Sequence, residues 1–269
     1  MKLVALFVAI GLWNASPGAE SLLDSGYRDM YNLQFDAAHA AFAEYQRDNP
    51  KDPLGAASDA AAYLFSEFNR LHILRSEFAL KDENFFSAAS PLPASPAAKQ
   101  HFEAALVKTK DLAEAGLQES PPDPNAMLAD TFRLGLHADY LALIEKREIP
   151  ALSEIKQART VADKLLSAHP TYYDAWIAPA LENYLLSLKA APVRWFLRAT
   201  GAHTDRLAGL EKLRVTAEKG HYLAPYARLL LALAALRDHH TAQARQLLAD
   251  LAHEFPENPL YKEELARVR

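Results

Sequence analysis

Apolar residues in this chain recur at helical spacing, with no run in which they alternate with polar ones. The clearest stretch is "AQARQLLADLAHEFPENP", residues 242–259, where Ala244, Leu248 and Leu251 mark one face ahead of Pro256. A period near 3.6 puts such residues on one stripe of a helix, and a proline then ends it. Read this way, the chain predicts about eleven helices, over 21–31, 35–48, 55–78, 96–117, 123–146, 151–168, 171–189, 204–219, 222–238, 240–254 and 259–268. No sheet is expected. Residues 222–238 are apolar nearly all round, so this helix must be covered on every side or must line a cavity.

The pattern around Pro256 repeats. Counting back twelve, eight and five residues from Pro50 gives Ala38, Phe42 and Tyr45; from Pro170 it gives Ala158, Ala162 and Leu165. "PKDPL" at 50–54 matches "PENPL" at 256–260. A small residue lets two helix axes approach, and the larger residues four and seven positions on fill the interface. These marks resemble the tetratricopeptide repeat, a helix–turn–helix unit of ~34 residues. Leu231 and Ala232 fall at the small-residue crossing of its first helix, Gly26 takes that place in the first copy, and Phe35 precedes Ala38 as an aromatic does in that family. The stretch from Phe196 to Leu236, followed by "FPENPLYKEELA", is also similar to exported bacterial proteins of this repeat class. The resemblance implies an all-α, TPR-like array of antiparallel hairpins, an α-solenoid. The closing prolines are 120 and 86 residues apart, neither a multiple of the repeat, so the expectation is a diverged array with degenerate hairpins between the clear ones.

The N-terminus follows another logic. Lys2 precedes an apolar run, Leu3–Trp13, and then the small residues of "NASPGA". This is the order of a cleaved signal peptide, and the run is too short to span a bilayer. The expected organisation is therefore a signal over 1–19 and one helical domain over 20–269. Within that domain a Pro/Ala/Ser loop falls near 89–98 and a C-terminal cap over 259–268. The expected location is the periplasm or outside the cell, with an uncleaved N-terminal anchor as the alternative.

Composition narrows the chemistry. The 269 residues include 9 Gly and no Cys, with a formal net charge of −5. Removing residues 1–19 takes away one lysine and leaves −6. No basic surplus exists for a phosphate backbone, which argues against nucleic acid as a partner. Thiolate chemistry and disulfides are excluded. No phosphate-cradling glycine loop, nucleophile elbow or His-Glu-x-x-His pattern is present, so no cofactor, metal or catalytic residue is expected. The adjacent His239 and His240 read as a solvated turn. Glu263 with Glu264, and Asp82 with Glu83, read as solvated faces.

Two places stand out. Asp130, Arg133, His137 and Tyr140 fall at i, +3, +7 and +10 on one helix, a polar stripe suited to a groove that binds an extended peptide. The plainer reading is an ordinary solvent face with an Asp130–Arg133 pair worth ~0.2–0.5 kcal/mol. Tyr173 and Trp176 lie close by in a cluster with Tyr172, Tyr184, Trp195 and Phe196, as either binding surface or core joint. Pro179 is expected to kink that helix. The sequence therefore points to a non-enzymatic exported scaffold that presents a groove to a protein or peptide partner. The alternative is a small-molecule or lipid carrier with an apolar cavity between its helices.

Overall fold

The computed structural model describes residues 21–80, 90–189, 191–199 and 201–268. Residues 1–19, read above as a signal peptide, and Asp82–Glu83 lie outside the described residues, as does the side chain of Phe196. Among those residues the chain is all helical, with no strand: α1 (Leu22–Tyr31), α2 (Phe35–Asp48), α3 (Pro53–Arg70), α4 (Ser76–Ala79), α5 (Pro96–Leu117), α6 (Pro124–Asp139), α7 (Glu148–Ala168), α8 (Ile177–Ser187), α9 (Ala191–Ala199), α10 (Arg206–Lys219), α11 (Ala224–Arg237), α12 (Thr241–Glu254) and α13 (Pro259–Arg267). A π turn, Tyr140–Ile144, extends α6, and a 3₁₀ turn, Tyr173–Trp176, precedes α8.

Helix starts follow a simple local code. Asp52-Pro53, Ser95-Pro96, Asp123-Pro124 and Asn258-Pro259 each open a helix, and each capping side chain accepts from a backbone N–H of the first turn. The cap satisfies a donor the helix leaves free, and proline supplies the starting φ without needing its N–H. Pro179 sits in the first turn of α8, where its missing N–H is no loss, so the expected kink is replaced by the 3₁₀-to-α change before it.

Helix ends are where the observed elements depart from the expected ones. Leu33, His72 and His239 adopt left-handed backbone, with φ of 63°, 59° and 59°. Each stands one residue past a helix cap, and the residue after it donates back to the penultimate turn: Gln34 N to Asp29 O, Ile73 N to Phe68 O and His240 N to Ala235 O. This terminator usually takes glycine. With His72 in that place the expected helix 55–78 stops at Arg70, and a separate short α4 follows. That helix and α9 bring the count among the described residues to thirteen helices where about eleven were expected.

Helices adjacent in sequence pack side by side through most of the chain, α1 on α2, α2 on α3, α5 on α6, α6 on α7, and α11 on α12, and α8 packs on α10 across the short α9. The small anchor residues are buried: Ala38 and Ala244 at 0% exposure and Ala158 at 2%, with Phe42, Ala162, Leu165, Leu248 and Leu251 also buried. Gly26 of α1 faces Phe42, and a Cβ there would lie 2.3 Å from the ring, so α1 and α2 cross closer than any larger residue permits.

The two ends of the chain meet. Tyr27 stacks on Tyr222 at 4.8 Å, Tyr31 lies 5.4 Å from Phe255, and Phe65 meets Tyr226 edge-on at 5.2 Å. The Tyr31 hydroxyl donates to Tyr222 O, and Asn258 Nδ2 donates to Tyr31 O. Glu264, expected on a solvated face, is buried and accepts from the backbone N–H and hydroxyl of Ser76 and from Arg267. One hydrophobic core therefore runs from Leu23 to Val268.

Candidate functional site: an apolar chamber between the helices

The core is not solid. An inner chamber of about 60 Å³ lies between α1, α3, α6, α7, α8 and the start of α11. An outer chamber of about 330 Å³ lies between the end of α6, its π turn, α7, α8 and α11. Ala138, Asp139, Ile155, Leu181, Leu185 and Tyr226 line both, so the two chambers adjoin across these side chains. The outer volume alone is in the range of small-molecule sites, ~300–1,000 Å³.

Small residues make the space. Ala61, Gly135, Ala138, Ala158 and Ala178 line the inner chamber. A Cβ built on Gly135 would meet nothing within 4 Å, so this mid-helix glycine borders open room. Glycine in a helix interior costs roughly 0.5–1 kcal/mol relative to alanine. Here no close contact requires that cost.

The walls are otherwise Phe65, Phe132, Ile155, Ile177, Leu181 and Leu185, and one ionisable acid interrupts them. Asp139 is the last residue of α6 before the helix widens into the π turn, a feature often found at functional positions. Its carboxyl accepts from the Tyr226 hydroxyl at a long 3.4 Å. Burial pushes the carboxyl up to about 7, against the opposing pull of the Tyr226 hydrogen bond. Burial likewise holds the Tyr226 hydroxyl well above the ordinary tyrosine range, and Asp139 adds to the effect. At the outer mouth Lys189 pairs with Glu148 at 2.8 Å, beside the exposed apolar Ile149 and Val193.

The residues singled out in the sequence lie elsewhere. Asp130 is buried and pairs with Arg133 at 2.7 Å, and the two line a shallow surface pocket with Lys156 and Gln157. His137 faces Glu154 of α7 at 3.2 Å. Tyr140 is buried and stacks on Phe102 at 5.0 Å. The stripe is thus divided among a pocket, a helix–helix contact and the core, because α7 packs along that side of α6. Tyr173 lines a separate polar pocket with Tyr172, Asp174 and His221, and Lys219 lies 5.5 Å over its ring. Trp176 packs against the main core, and Tyr184 is buried in a second one. Asp139, Tyr226 and Gly135 were not singled out. Their sequence signal is the face Phe132, Gly135, Asp139 and Ala142, a 3-4-3 spacing that is apolar except for one acid.

Comparison with protein-family models, curated proteins and solved structures gives no match to this chain. What defines it, among the described residues, is an all-helical chain whose two ends pack together, with two adjoining apolar chambers and the Asp139 carboxyl on the wall they share.

Proposed function

We propose that this protein binds a small apolar or amphiphilic molecule in the passage between its helices, as a carrier or receptor rather than a catalyst. The observation that carries this reading is the adjoining pair of chambers lined by apolar side chains and by residues too small to fill them. A void of this size forfeits packing contacts, so an unoccupied passage is costly unless something enters it. Support for the finer architecture, diverged tetratricopeptide-type hairpins, comes from the burial of Ala38, Ala158 and Ala244 at matching places ahead of their prolines. Export is proposed on the order of Lys2, Leu3–Trp13 and the small residues after them; sequencing the N-terminus of the native protein tests it, and recovery of Met1 would refute it.

The test of binding uses an apolar fluorescent probe such as N-phenyl-1-naphthylamine, with displacement by fatty alcohols. Wild type is expected to bind one equivalent. Gly135→Leu should fill the inner chamber and weaken binding at least tenfold, with a melting temperature equal to or above that of wild type. Equal binding by both proteins, or no displacement by any alcohol, would overturn the reading.

A second reading, a groove for a protein or peptide partner, draws on the polar pocket at Asp130 and Arg133 and on the aromatic pocket at Tyr173. Such a partner would bind the Gly135→Leu variant as well as wild type, so the same variant separates the two.

A further inference from the structure

Resting on the reading that the passage holds a ligand, we propose that this ligand is an amphiphile with a cationic amine head, and that Asp139 is the residue that selects it. The argument starts from charge balance. Among the described residues, no Lys, Arg or His lines the inner chamber. In the outer chamber the one lining cation is Lys189, held by Glu148 at the mouth. The carboxyl at the junction has the Tyr226 hydroxyl at 3.4 Å as its polar contact within the passage. A carboxylate in apolar surroundings is stable only when paired; the inner walls offer no opposite charge, and Lys189 of the outer chamber is paired with Glu148. A ligand ammonium would supply that partner, while its hydrocarbon chain occupied the apolar chambers on either side.

Competing head groups fare worse for stated reasons. A carboxylate would face Asp139 across a low-dielectric gap and be repelled. A hydroxyl would exchange a hydrogen bond but leave the charge without a counter-ion. The order expected for chains of equal length is therefore amine, then alcohol, then acid.

The ionisable groups facing the passage are Asp139 of α6, Tyr27 of α1, Tyr226 of α11 and the Glu148–Lys189 pair at its mouth. Burial raises the pKa of both tyrosines, which stay protonated near neutral pH, and the mouth pair neutralises itself. Near pH 7 the group that changes charge is Asp139, so an entering ammonium should drive a proton off it.

The experiment measures dodecylamine, dodecanol and dodecanoate in turn, as competitors of the same apolar probe, on wild type and Asp139→Asn. On wild type the amine should bind at least tenfold tighter than the alcohol. Asp139→Asn should lower amine affinity to that of the alcohol and leave the alcohol unchanged, which also shows that the variant's chamber is intact. Titration calorimetry of wild type at pH 7 in two buffers of different ionisation enthalpy should register proton release with the amine and none with the alcohol. An amine no tighter than the alcohol, an amine preference that survives Asp139→Asn, or amine binding without proton release would overturn the proposal while leaving the chamber reading in place. If the alcohol also fails to bind wild type, both fall.

Discussion

At the scale of single residues, Asp139 has a consequence for stability that can be read with sign. Its carboxyl is raised from 3.8 to about 7 in the folded chain. Between those values the native state holds a proton the unfolded chain has lost, so stability falls as pH rises through this range and levels off above it. At 1.36 kcal/mol per unit the upper bound is ~4 kcal/mol, reduced by any water admitted to the chamber. Asp139→Asn should remove this slope. Its melting temperature should match that of wild type near pH 4 and exceed it increasingly up to pH 8; parallel curves would refute the assignment. Little of this was legible in the sequence. The face Phe132, Gly135, Asp139 and Ala142 shows one acid among apolar neighbours, but Tyr27 and Tyr226, which complete the walls, lie about a hundred positions away on either side. The crossings at Ala38, Ala158 and Ala244 were legible because the small residue and its proline sit on one local helix pattern.

At the scale of elements, the helix ends carry unused stability. Leu33, His72 and His239 occupy left-handed backbone that costs an L-residue roughly 1–2 kcal/mol and glycine almost nothing. His72 and His239 are exposed, so their replacement sacrifices no packing. His72→Gly and His239→Gly should each raise the melting temperature, by ~0.5–1 kcal/mol of stability after glycine's greater unfolded-state entropy is counted. A loss of stability in both would mean that these side chains make contacts that matter. The same feature explains why α4 was missed. A helix end marked by histidine gives no glycine signal, and the apolar period runs through Leu71–Phe78 without a visible break. The starts were legible because Asp-Pro, Ser-Pro and Asn-Pro are local signals that act within one turn.

At the scale of the whole molecule, the seam between the ends distinguishes this chain from an open array, in which each repeat touches only its neighbours and stability is nearly a sum of local terms. Here Asn258 holds Tyr31, Glu264 holds Ser76, and Phe255 packs on Tyr31. Deleting residues 257–269 should therefore loosen α1 and α4, far from the deletion in sequence. Hydrogen exchange should report this: amides of 22–31 and 73–79 should lose protection in the truncated chain, whereas protection lost only in α11 and α12 would mean the ends act independently. The seam also sets a timetable for synthesis. Tyr31 leaves the ribosome 191 residues before Tyr222, the residue whose carbonyl its hydroxyl requires. At ~5–20 residues per second the aromatic face of α1 waits about 10–40 s for its partner. Until the last helices emerge, Tyr27 and Tyr31 lack the late-made partners, Tyr222 and Phe255, that pack on them in the folded chain.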